Sequence, residues 1–138
     1  MTTPTRADLL AVLNSASLTP LLGVSSELPW TANGDPLYIK NAKRVYVERE
    51  LRDEESVMQT LDNSVRGVVR TTTIRAYVAV DAKNQPSGFE SVVNTIANLK
   101  NSTTFATQGQ RECNVSQEFR NDLLVTEFEF QFRELVVN

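Results

Sequence analysis

The chain has no histidine, one cysteine, five glycines and five prolines, and it carries 17 Asp and Glu against 14 Lys and Arg, a formal charge of −3. Without histidine, the commonest general base, the Ser-His and Cys-His nucleophile pairs and the usual transition-metal ligand are all missing. A single cysteine, Cys113, cannot form an internal disulfide or supply a cysteine-based zinc site. It sits between Glu112 and Asn114 with no neighbouring cation to activate it, so it reads as a packing residue. The acidic balance lacks the broad basic footprint that grips nucleic acid, and sequence-reading DNA binding is not expected. No apolar run approaches the roughly 18 residues that span a bilayer, and the first residues lack a basic region followed by an apolar core. The expectation is a chain made in the cytosol with no membrane contact.

What is present is pattern. At 138 residues with 41% hydrophobic and 22% charged side chains, the chain fits one folded domain over 1–138. The clearest unit is TTTIRAYVAVD followed by PSGFESVVNTIANLK. Ile74, Ala76, Val78 and Val80 fall on one face of a strand, and Phe89, Val92, Val93, Ile96 and Leu99 form one stripe of a helix. Ser87 and Glu90 have the spacing of a capping box at the start of that helix, which should end near Asn101. An earlier helix is predicted over about Thr5–Ala16, with Leu9, Val12, Leu13 and Ala16 on one face and Asp8 near its N-terminus. It reads better as a cover for a sheet than as a docking helix.

From Ser17 to Asn41 the period is broken by Pro20, Gly23, Pro29, Asn33-Gly34 and Pro36, so a long loop is expected, with a short strand near Tyr38. Trp30 in this loop is a candidate contact residue; a plug for the domain's own core is the equal alternative. Strands are predicted over Lys43–Leu51, Val57–Leu61 and Val65–Val80, separated by turns at Arg52–Glu55 and Asp62–Ser64. The apolar positions change parity between Val69 and Ile74, which predicts a bulge or twist around Arg70–Thr73. Thr103–Gln110 reads as a polar, mobile loop, and a weak strand through Cys113 and Val115 turns at Arg120–Asn121. The last strand, Asp122–Leu135, sets Leu124, Phe128, Phe130 and Phe132 against Glu127, Glu129, Gln131 and Arg133. Such alternation marks a sheet packed on one side, with the phenylalanines as core and not as a base-stacking platform.

The fold class read from these elements is α+β: a mainly antiparallel sheet with two helices packed on one face and a long hairpin extension over Arg49–Ser64. No phosphate loop, dinucleotide fingerprint, EF-hand pattern or strand-elbow serine is present. Catalytic, cofactor-binding and metal-binding residues are therefore assigned to none, and no enzyme is expected. The remaining candidates are interaction residues. Arg52, Asp53, Glu54 and Glu55 form a charged turn suited to partner contacts, and a solvated turn is its plain reading. Arg66, Arg70 and Arg75 could line a local basic stripe at an interface or DNA lumen, against the plain reading of a solvated sheet face.

Taken in order, KRVYVERELRDEESV, AYVAVDAKNQPSGFESVVNTIANL and LLVTEFEFQFREL give an arrangement that resembles the tail terminator, or tail completion, proteins of long-tailed bacteriophages. The resemblance covers nearly the whole chain and is one of architecture and length. It implies a structural virion protein of the tail or neck, present in the host cytoplasm during assembly. Six copies would form a ring that caps the tail tube protein, ends its polymerisation and meets the head-side connector or stopper protein. Genome DNA would pass through the channel without being read. Six copies at −3 each give −18, which disfavours adhesion to DNA. A head-tail connector is the neighbouring reading, and a small ligand-binding or enzyme domain using carboxylates and arginine is the one from another class.

Overall fold

A computed structural model of the chain describes residues 3–19, 21–25, 43–59, 66–120 and 122–137. Its elements are α1 (Arg6–Ser15), β1 (Gly23–Ser25), β2 (Arg44–Val47), β3 (Leu51–Gln59), β4 (Arg66–Asp81), α2 (Phe89–Ala97), β5 (Gln110–Arg120) and β6 (Leu123–Val137). The strands form one sheet in the order β1-β2-β4-β6-β5, with β3 also on β4, and every pairing except β1 with β2 is antiparallel. The fold is α+β. Both helices contribute to one core on a single face of this sheet, where Leu9, Leu13, Phe89, Val92 and Ile96 meet Val45, Ile74, Ala76, Val78, Phe128, Phe130 and Phe132.

Each helix starts for a local reason. Thr5 caps α1: its hydroxyl accepts from the Asp8 amide at 3.2 Å while the Asp8 carboxylate accepts from the Thr5 amide at 2.9 Å. The capping box expected at Ser87 and Glu90 does not form. Gly88 is the N-cap residue, in the left-handed region at φ 82°, and α2 has no side-chain cap. Glycine adopts that backbone without a Cβ penalty, so the chain turns sharply into the helix on backbone geometry alone. The helix then tightens into a 3₁₀ turn over Asn98–Asn101, which accounts for the predicted end.

The register of β4 against β6 is unbroken from Gly67↔Val137 to Asp81↔Leu123, so the bulge expected around Arg70–Thr73 is absent. The even-numbered side is the core side throughout: Val68, Thr72 and Ile74 are all buried, and Val69 is only half-buried. Val69, at an odd position, lies on the face away from the helices, so its apolar side chain does not mark a change of the buried face. The irregularities lie in the partner strand instead. One is a register shift between Ser56 and Met58. The other separates β2 from β3, where the interval Val47–Leu51 faces the interval Ala76–Thr73, one residue shorter on β4. An extra residue there bends the edge and re-aims side chains.

The segment after α2 is also more ordered than its polarity suggests. A 3₁₀ turn over Thr103–Phe105 drives Phe105 into the core, where its ring stacks on Phe132 with centroids 4.3 Å apart. Phe130 lies 6.3 Å further along the same row. Ring pairs of this kind add to the burial of the side chains themselves. Phe130→Ala should therefore cost about 3–5 kcal/mol in a denaturant melt. Glu129→Ala, one position away on the other face, should cost no more than about 1 kcal/mol, because its partner Arg75 is a half-exposed ion pair. Equal losses would refute the assigned facing of β6.

Candidate assembly surface

The lower half of the sheet is sandwiched under the helices, but β3 and the facing ends of β4 and β6 continue past them as a three-stranded arm. Residues 51–57 of β3 are exposed throughout. The acidic run Asp53-Glu54-Glu55 therefore lies inside a strand and not in a turn, with Asp53 opposite Thr71, Glu54 opposite Arg70 and Glu55 opposite Val69. Antiparallel pairing to the Thr-rich start of β4 outweighs the low strand propensity of the acids. The hairpin stem is thus longer than expected, and its connection, with Asp62–Ser64, lies outside the described residues, as do Trp30 and Tyr38.

The two faces of the arm differ. On the face away from the helices, Leu51, Leu135 and Val137 are each more than half exposed and Val69 is half-buried, with Asp53 and Glu55 between them. Val57, at the register shift, is 54% exposed. A hollow of about 380 Å³ opens beside them, where β6 runs on past the start of β5, lined by Val69, Gly109, Gln110, Arg133 and Leu135. Val69, Leu135 and Val137 adjoin, with Leu51 set apart by Asp53, and apolar exposure of this kind rimmed by charge marks contact surfaces.

On the helix side the arm carries Arg70 and Glu134 between Thr72 and the buried Val68, and it is tied to the start of the chain. Glu134 occupies the position after Phe128, Phe130 and Phe132 on the inward row and is buried. Its carboxylate accepts from the Thr3 hydroxyl at 2.6 Å and the Gln108 amide at 3.2 Å, and Arg70 stands 3.6 Å away. Arg70 also donates to Thr3 at 2.8 Å and to Glu54 at 3.3 Å. Below this group, Arg52 donates to the Pro4 carbonyl at 3.1 Å and Arg6 donates through Nε to the Val47 carbonyl at 2.7 Å. The bulge between β2 and β3 delivers Glu50 to the Arg6 amide at 3.0 Å. Its own amide and that of Arg6 hold the Glu50 carboxyl below its ordinary value of 4.5, with Arg52 and Arg49 adding and burial opposing.

The predicted arginine stripe does not exist as one. Arg70 is on the helix side and Arg75 on the other, because an odd spacing in a strand places side chains on opposite faces. Arg75 is held between Glu129 at 3.0 Å and Glu127 at 3.4 Å. Tyr77 donates to Glu127 at 3.3 Å, and burial, with the Glu48 and Glu127 carboxylates, pushes its phenol well up. Of Arg66, only the backbone pairing with Gln59 is described. Glu134 was missed by sequence reasoning, although a signal was available: it is the one carboxylate on the even row of β6.

Cys113 lies on the helix side of β5, packed at the margin of the core. Burial pushes its thiol up to about 12, with Lys100 opposing and Glu129 adding. Among the described residues no group of three or more acidic, cysteine or histidine side chains is placed to hold a metal ion, and no helix is long and apolar enough to cross a membrane.

Three outcomes are expected. Arg70→Met leaves Glu134 buried without its cation, so stability at pH 7 should fall by about 1.5–3 kcal/mol, read from urea melts of the variant and the wild type. The Glu50 contribution, from a lowered pKa, is present above the ordinary carboxylate range and is lost as pH falls through the folded value, so Glu50→Gln should flatten the acid side of a melting-temperature profile. Cys113 should react slowly with alkylating reagents at pH 8 in the folded chain and rapidly in denaturant. The chain matches no family model and no curated protein.

Proposed function

We propose that the protein is a structural component of a long-tailed phage virion, a tail terminator whose copies form a ring, hexameric by the resemblance stated above, that caps the tail tube and joins the head-side connector. The observation that carries this reading is the arm. A three-stranded arm that runs past the core, leaves Leu51, Leu135 and Val137 uncovered and is tied through Arg70 and Glu134 to Thr3 has the build of a contact element held rigid before its partner arrives. The arginines also suit a channel that passes DNA without holding it, since Arg70 and Arg75 are each engaged by carboxylates of the same chain.

Imaging of tails assembled with and without the protein tests the role. Tubes of irregular, excessive length are expected in its absence, and tails of unchanged uniform length would overturn the reading. The arm is tested by Asp53→Lys with Glu55→Lys, which leaves Glu54 on Arg70. The charge reversal should weaken attachment to purified tail tubes in a salt-dependent way while leaving the melting temperature within a few degrees. Binding of the variant equal to wild type at low salt would remove these carboxylates from the interface.

A further inference from the structure

The edge of the sheet opposite the arm is β5. Among the described residues it pairs only with β6, and Asn114–Phe119 are exposed without interruption. Its helix-side row runs Arg111, Cys113, Val115, Gln117, Phe119, and its outer row Gln110, Glu112, Asn114, Ser116, Glu118, Arg120. Phe119 is 72% exposed and Val115 42%. Between β5 and α2 a hollow of about 300 Å³ opens, lined by Val93, Asn94, Val115 and Gln117. A long edge carrying an uncovered phenylalanine is a template for another strand.

The strand it fits is its own copy. When two β5 edges meet antiparallel about a two-fold axis normal to the sheet, helix sides match only if the axis passes through a residue. Centred on Ser116, the register sets Glu112 opposite Arg120 of the other copy, twice, and Asn114 opposite Glu118. The centres one residue to either side set Glu112 against a carboxylate, Glu118 or Asp122. Arg120 already donates through Nε to Glu118 at 2.7 Å, which holds its guanidinium at this edge. On the helix side the same register puts each Phe119 beside Cys113 of the other copy and within diagonal reach of its Val115.

From this self-complementarity we infer that two copies pair through β5 in a two-fold dimer centred on Ser116, making one sheet continuous across both. The pairing does not rest on the terminator reading: it uses the edge away from the arm and leaves the arm exposed on both copies. A two-fold contact closes on itself, so it yields dimers and no longer series.

Sedimentation equilibrium of the whole chain tests it. The wild type should dimerise as concentration rises, and Glu112→Arg or Arg120→Glu alone should weaken the dimer by about tenfold, since each change turns two opposite-charge cross-strand pairs into like-charge pairs. The double variant Glu112→Arg with Arg120→Glu should recover most of that loss. Arg111→Glu, with the same change in net charge as Arg120→Glu but outside the opposed charge pairs, should stay within about threefold of wild type. Thermal melts check that each variant is folded, which is expected because all these residues lie outside the core. A wild type that stays monomeric, or a double variant no better than either single change, would overturn the pairing. Tail-length imaging is blind to these results, so the two proposals can fail separately.

Discussion

Because β4 and β6 keep one register along their whole paired length, even-numbered residues of both strands face the helices and odd-numbered residues face away. That single phase places Ile74, Ala76, Phe128 and Phe130 in the core and Arg75, Tyr77, Glu127 and Glu129 on the open side. It also carries the alternation past Thr72 and Phe132, where the inward row turns polar before Val68. There the row changes from Phe132 to Glu134 and from Thr72 to Arg70. The polar cluster is the sheet's answer to running out of core while its pleat continues. A buried carboxylate at such a place is tolerated because a hydroxyl, an amide and a guanidinium converge on it.

Much of this was legible in the sequence. The phenylalanine row of β6, the strand and helix around Asp81–Phe89, the first helix and the α+β class all follow from period and turn residues, since burial on one face imposes a period that survives in one chain. What was not legible depended on contacts between distant segments. The acidic run of β3 is poor strand material alone and pairs only because the start of β4 lies beside it. The Thr103–Gln110 stretch is polar in composition, yet one residue, Phe105, fixes it by finding Phe132. At α2 the wrong local device was chosen: the capping spacing of Ser87 and Glu90 was present, and the positive φ of Gly88 displaced it.

The interaction residues divide along the same line. Asp53 and Glu55 are on the surface as expected, whereas Arg52, Glu54 and Arg70 are engaged in bracing the arm against Thr3 and Pro4. Charge alone marked them as surface residues and said nothing of their partners. The N-terminal residues that receive them had no pattern of their own to read.

The ladder between β4 and β6 joins strands that have α2 and β5 between them in the chain, while β3–β4 and β5–β6 are neighbours in sequence. The two hairpins can form on local contacts, but the central seam must first meet the entropy of closing a long loop, so folding of this chain is set by its most distant pairing. Until that seam closes, the phenylalanines of β6 have no helix over them and both hairpins present bare edges. The polar residues along β3 then have a duty in time as well as in place: they keep the half-folded chain from pairing through that edge before its own centre is made.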